Sequence, residues 1–268
     1  MCGIVGYIGD KDASCVLLNS IKSLEYRGYD SVGMATIDRG LLVEKDVGKI
    51  GDVDKKVCFT KLGGHIGLAH SRWSTHGKTT KENAHPHTDC KDEIAIVHHG
   101  IIENHGDIKE ALAKKGHKFR SETDTEVIVH LIEDNYDGDL KEAVLRSLNK
   151  LEGSYAIGVI SSKEPDKLVA ARKDSPLIIG VGKEEKLISS DVPAIIEHTK
   201  DIIYMDNDEV AVIKKDSVDL YSIGGDKKTK KIDRIEWNKE QAEKHGFDHY
   251  MLKEIFEQPR AIEETINS

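Results

Sequence analysis

The apolar segments of this chain run as strands, then helices, then strands, and that order limits its architecture more than any single residue does. Strand patterns cover residues 3–8, 31–37, 41–47, 66–71 and 94–98, separated by glycine or charged turns. Helical periodicity marks residues 13–26, where Val16, Leu17, Ile21 and Leu24 recur on one face, and later 107–115, 125–133 and 140–151. A second strand group follows at 154–160, 167–171, 177–181, 186–189, 202–205 and 209–214. Strands that neighbour one another like hairpins, without strict alternation with helices, predict an α+β layered domain of antiparallel sheets rather than a doubly wound parallel sheet. After about Lys228 the texture becomes polar, and a helical pattern over 249–266 stops at Ser268, as expected of a chain cut from a longer one. The expected division is a domain over 1–240 and the start of a linker over 241–268.

Function classes narrow on charge and cysteine usage. With 39 basic against 48 acidic residues, a formal net charge of −9 and no basic stripe, nucleic acid is not an expected partner. Cys2, Cys15, Cys58 and Cys90 form no CxxC pair, which argues against a zinc knuckle or a disulfide scaffold and for a reducing, cytoplasmic setting. No basic leader precedes the first apolar run and no stretch approaches about 18 apolar residues, so no membrane partner is expected.

Four short segments carry polar residues that a plain core would not want. At the start, a small residue after Met1 lets the initiator be removed, leaving in Cys2 a thiol and a free α-amine on one residue. An amine of pKa about 7.7–8.0 can take the proton of a thiol of about 8.5, generating an attacking thiolate; the plainer reading is an exposed cysteine near a terminus. In Arg72-Trp73-Ser74-Thr75-His76-Gly77, arginine can grip a carboxylate with two hydrogen bonds and tryptophan can close over a small ligand. A surface arginine packed on an aromatic ring is the alternative. His98-His99-Gly100 reads as a strand end turning into a loop, where a glycine N–H can face an oxyanion or simply make a turn. Thr123-Asp124-Thr125-Glu126 has capping-box form, so Asp124 either serves a ligand or complements a helix dipole.

His76, His85, His87, Cys90, His98 and His99 fall close together and raise the rival class of a zinc hydrolase. Their spacings fit no metal-site pattern, and Asn83-Ala84-His85-Pro86-His87 reads equally well as a rigid turn, so neither a metal nor another cofactor is expected.

Taken together and in order, Cys2-Gly3-Ile4-Val5-Gly6, Leu24 to Ser31, Arg72 to Gly77, Asn83 to His87, Gly100 to Asn104 and Ser121 to Glu126 resemble the class II glutamine amidotransferases, the N-terminal-nucleophile glutaminases. The resemblance covers nearly the whole chain. It implies a four-layer α-β-β-α sandwich and hydrolysis of L-glutamine through a γ-glutamyl thioester on Cys2, whose own amine is the base once Met1 is gone. It further implies that Arg72, helped by Thr75 and His76, holds the substrate α-carboxylate, that Asp124 and the region of Gly100 hold the α-ammonium, and that Trp73 belongs to a covering loop. His99 and Gly100 occupy the oxyanion positions, but the family has asparagine where this chain has His99, so a weakened glutaminase is expected. The segment 249–259 resembles the join to sugar isomerase domains, which implies a parent that passes ammonia to fructose-6-phosphate. The glutaminase domain of another class II amidotransferase, a metal-dependent hydrolase and a non-catalytic glutamine-binding module are the alternatives.

Overall fold

The computed structural model describes residues 2–236, 247 and 250–266, so the expected boundary at 240/241 lies outside the described residues. Strand β1, Gly3–Gly9, is buried along its whole length. Its odd positions Val5 and Tyr7 pack on helix α1, Ala13–Lys22, and its even positions Ile4 and Ile8 face a second sheet. A strand apolar on both faces must lie inside a layered structure, because leaving either face in water would forfeit about 1.5–3 kcal/mol per large side chain.

In the first sheet, β1 lies between β4, Ile66–Arg72, and β10, Glu185–Ser189. Beyond β4 come β2, Ser31–Ile37, and β3, Leu41–Val47; beyond β10 come β9, Ile178–Val181, β11, Asp201–Tyr204, and the two-residue β15, Asp233–Arg234. The second sheet runs β14 (Lys227–Lys228), β13 (Val218–Ser222), β12 (Glu209–Ile213), β8 (Leu168–Lys173), β7 (Gly153–Ser161), β6 (Ile94–Ile102), β5 (His87–Thr88). Every ladder within the two sheets is antiparallel. One apolar layer, including Ile4, Leu68, Ile188, Val97 and Ile160, fills the space between them. The outer face of the first sheet is covered by α1 and by α2, Ile50–Val57. That of the second is covered by α3, His105–Lys114, α4, Thr125–Asn135, and α5, Leu140–Leu148. The result is the expected α-β-β-α sandwich.

Several elements differ from the sequence reading. The first helix ends at Lys22, and a 3₁₀ turn over Glu25–Arg27 replaces its last turn, because Glu25 accepts from the Ile50 N–H and Arg27 swings to the chain start. Helix α2 has no counterpart among the elements expected from sequence; Ile50 and Val53 give it a buried face. Strand β6 does not end at His98. It runs on to Ile102, with His99 opposite Ala156 and Gly100 opposite Tyr155, because Gly100 and Gly153 adopt positive φ (143° and 115°) and keep the ladder intact. A final helix α6, Tyr250–Ile266, contains Pro259. Among the described residues no helix is long and apolar enough to cross a membrane.

Candidate active site

Strand parity builds the site. Even positions of β1 and β4 face the layer between the sheets, and Gly3 pairs with Ser71, so Cys2 and Arg72 arrive side by side at the open end of that layer. On β6 the odd positions Ala95 and Val97 face the same layer, which brings in His99 from the other sheet. The cleft formed there, about 370 Å³, is lined by Cys2, Arg72, Trp73, Thr75, His76, His99, Gly100 and Asp124, and its size suits a small molecule.

Cys2 is held from several directions. Its backbone nitrogen donates to His99 Nδ1 at 3.3 Å, and its carbonyl accepts from Arg27 Nε at 3.1 Å. The Trp73 N–H donates to Sγ at 3.4 Å, and the thiol reaches back to the Trp73 carbonyl at 3.5 Å. Burial pushes the Cys2 thiol up, opposed by the Trp73 N–H, the chain's amino terminus and the positive Arg72 and Arg27. A thiol in that position needs a base at hand. His99 is lowered to about 4, first by burial and then by Arg27, so its ring is neutral near pH 7. With Nδ1 engaged as an acceptor, the tautomer inferred is the one that keeps its proton on Nε2, the only donor the ring has left.

Arg72 is buried, and its guanidinium donates to the carbonyls of His76, Gly77 and Lys78, tying the loop after β4 over the cleft. Burial lowers its pKa, and the charges of Cys2, Asp30 and Asp124 work against that effect. Trp73 stands at the rim, 44% exposed, its ring edge-on to Tyr29 at 5.6 Å. Thr75 is exposed and His76 half-buried, with the His76 ring edge-on to His105.

Asp124 occupies the N-cap position of α4 but makes no side-chain cap bond; its Oδ2 accepts from the Ile102 N–H at 2.9 Å instead. The capping box is not formed either. Glu126 turns back to the N–H groups of Arg120 and Ser121 and to the Ser121 hydroxyl. A buried carboxylate spared from capping is available to a cation in the cleft.

The six residues weighed as zinc ligands do not assemble. His70 stacks on His85 at 4.1 Å, while Thr125 Oγ1 bridges His85 Nε2 and His98 Nδ1 at 2.8 Å each and Thr123 Oγ1 meets His87 Nε2 at 3.0 Å. Burial lowers all four rings, so they form a neutral, hydrogen-bonded layer behind the cleft. Arg27, inside the segment Leu24 to Ser31, is a site residue for which the sequence reading assigns no role. The signal for it was an arginine placed among apolar residues: it is buried, bonds the Cys2 carbonyl, and pairs with Asp191 at 3.0 Å. Gly28 beside it has no room for a Cβ, which would stand 2.6 Å from the Arg72 carbonyl carbon.

Residues 44–221 match the family model described as a glutamine amidotransferase domain. The chain is 49% identical over 269 residues to glutamine–fructose-6-phosphate aminotransferase (isomerizing) of Clostridium acetobutylicum, covering 100% of this chain and 44% of that one. It is 52% identical to the protein of the same name from Methanothermobacter thermautotrophicus, covering 99% of this chain and 45% of that one. It therefore spans under half the length of the curated relatives it matches. Among solved structures, the glutamine phosphoribosylpyrophosphate amidotransferase of B. subtilis superposes with a TM-score of 0.73 at 24% identity, over 83% of this chain and 49% of that one, a likeness of fold.

Proposed function

The chain belongs to the glutamine amidotransferase domain family, and on that premise we propose that its cleft hydrolyses L-glutamine to glutamate and ammonia through a thioester on Cys2. The observation that carries this reading is the flanking of the Cys2 sulfur, in one cleft, by a buried cation, Arg72, and a buried anion, Asp124. A free amino acid carries both complements, a carboxylate for Arg72 and an ammonium for Asp124, with its side-chain amide left to reach the sulfur.

Removal of Met1 turns the Cys2 amide nitrogen into an amine. That amine takes the thiol proton, and the thiolate attacks the amide carbon of glutamine. The carbonyl oxygen becomes an oxyanion, for which the Gly100 N–H and His99 Nε2–H are the candidate donors. The C–N bond then breaks, and ammonia leaves with the proton held by the Cys2 ammonium. Water attacks the thioester, the amine takes its proton, and glutamate departs as the thiolate is restored. His99 Nδ1, accepting from the Cys2 nitrogen, steers the amine lone pair toward the sulfur. Arg27 fixes the residue by its carbonyl, and the loop tied by Arg72 shields the cleft from water.

The named relatives support a further step, in which sugar isomerase domains of a longer parent transfer the ammonia to fructose-6-phosphate. The reading also places the protein in the cytoplasm and assigns residues 241–268 to the start of the connection to those domains. A glutaminase assay before and after stoichiometric labelling of Cys2 by a glutamine-like electrophile tests substrate and nucleophile together. Unchanged glutamate release from fully labelled protein would refute it.

A further inference from the structure

In the helical layer over the second sheet, and outside the cleft, three segments bring four ligand-type side chains together. Cys90 lies in the turn between β5 and β6, His117 follows α3, and His130 and Glu133 sit three residues apart on α4. One donor atom from each lies within 4.8 Å of all the others. The Cys90 sulfur is 3.7 Å from His117 Nδ1 and 3.6 Å from His130 Nδ1, and Glu133 Oε2 is 3.0 Å from each of those nitrogens. A tetrahedral zinc ion at about 2.3 Å from sulfur and about 2.0–2.2 Å from nitrogen and oxygen needs S···N edges of about 3.6 Å and N···O edges of about 3.4 Å. The two S···N edges already match, and the two N···O edges need to open by only a few tenths of an ångström.

The second layer fits as well. His130 Nε2 lies 3.8 Å from Glu126 Oε1, and His117 Nε2 lies 3.7 Å from Asp134 Oδ1. A carboxylate behind the outer nitrogen is the arrangement that keeps the proton there and turns the Nδ1 lone pair inward. Hydrogen bonding alone serves these groups poorly. If both Nδ1 atoms donate to Glu133 Oε2, which also receives the Cys90 N–H at 3.2 Å, then His130 Nε2, buried and without a hydrogen-bond partner, confronts a carboxylate with no proton unless the ring is charged. A cation on the inner side removes that conflict. A thiolate and one carboxylate neutralise a divalent charge, and the sulfur selects a zinc-class ion over magnesium or calcium.

We propose that Cys90, His117, His130 and Glu133 form a structural site for a divalent zinc-class cation. With four protein ligands the site is closed, as structural sites are, and leaves no position for a substrate. Binding displaces the Cys90 thiol proton, and the ion pins the β5–β6 turn and the segment after α3 to α4. Asp124 immediately precedes that helix, so the ion also steadies one wall of the cleft.

The test uses the full chain without a polyhistidine tag. Zinc content is measured by mass spectrometry after dialysis, and apo protein prepared with a chelator is titrated with cobalt(II). About one zinc per chain is expected, together with a sulfur-to-cobalt charge-transfer band and a melting temperature that falls on chelation and recovers with zinc. Cys90→Ser and His117→Asn should each weaken cobalt binding at least about tenfold, and Cys90→Ser should lose the charge-transfer band. His117 is partly exposed, so its variant serves if Cys90→Ser folds poorly. Cys2→Ala should keep both metal and band. Failure of apo protein to take up stoichiometric cobalt or zinc, or an unchanged spectrum in both ligand variants, would overturn the assignment.

Discussion

The backbone nitrogen of Cys2 lies 3.3 Å from Nδ1 of His99, an imidazole 97 residues away on the opposite sheet. In the proposed mechanism the side chain beside the nucleophile thus serves the base as well as the substrate. It spends its acceptor on the Cys2 nitrogen and keeps one donor, on a rigid ring, for the oxyanion.

An asparagine at that position offers an acceptor and two donors on a smaller group. His99→Asn is expected to raise kcat for glutamate release by about a hundredfold to a thousandfold, the scale of one oxyanion donor, with KM little changed. Equal or lower turnover in the variant would show that the imidazole is already a competent donor.

Cys2→Ala should reduce glutaminase activity by at least about a thousandfold, since thioester formation has no substitute. Protein retaining Met1 should be as inactive as that variant. Intact mass and activity measured on the same sample check both, and an active Met1-bearing form would contradict the role of the amine.

Removing one partner of a desolvated charge pair costs about 2–5 kcal/mol, roughly thirtyfold or more in affinity. Asp124→Asn and Arg72→Met should therefore each raise the KM for glutamine by about that factor, more than they lower kcat. For Arg72→Met the tie to the loop carbonyls is also lost, and proteolysis within residues 73–78 should quicken. Unchanged KM in both variants would remove the two-charge recognition.

A Cβ on Gly100 would stand 2.1 Å from the Ser154 carbonyl oxygen, at a φ of 143°. Gly100→Ala is expected to cost several kcal/mol and abolish activity. Gly106 on α3 has nothing within 4 Å of the same atom, so Gly106→Ala should stabilise by about 0.5–1 kcal/mol. Urea unfolding of the two variants reads both signs.

His70, His85, His87 and His98 are held neutral by burial, and His99 titrates at about 4 for the same leading reason. Unfolded histidines bind protons near pH 6.5. Below that value the unfolded chain takes up more protons than the folded one, so stability falls as pH drops, by up to about 1.4 kcal/mol per pH unit for each ring. His198 is lowered as well, chiefly by burial, and acts in the same direction. For His130, burial lowers the pKa but Glu126 and Glu133 raise it further, so its stabilisation is present below pH 6.5 and lost as pH rises through the raised value. That is one ring opposing six. The urea midpoint should decline between pH 6.5 and 5, before most carboxylates titrate, and a flat midpoint there would contradict the buried neutral layer.

Local pattern was enough for the layered antiparallel architecture. Residues 31–37 and 41–47 are the strands the alternation predicted, and α4 and α5 start where their patterns do, at Thr125 and Leu140. Periodicity reports which faces an element must bury, and in a sandwich nearly every face is spoken for. The four segments that hold the eight candidate residues stand out as short polar stretches between apolar runs, while the family resemblance supplied the roles proposed for those residues. Their gathering in one cleft was not legible there.

Only tertiary structure carried β6 through His99 and Gly100, since pairing with β7 decided it and no local signal could. The same holds for Asp124, freed from capping because the Ile102 N–H bonds it, and for Arg27, whose partner is the carbonyl of the second residue. The meeting of Cys90 with His117, His130 and Glu133 belongs here too, its partners 27, 40 and 43 positions along the chain from Cys90. Sequence distance sets the loop-closure entropy of such contacts but not which pairs form; that choice lies in the register of the two sheets.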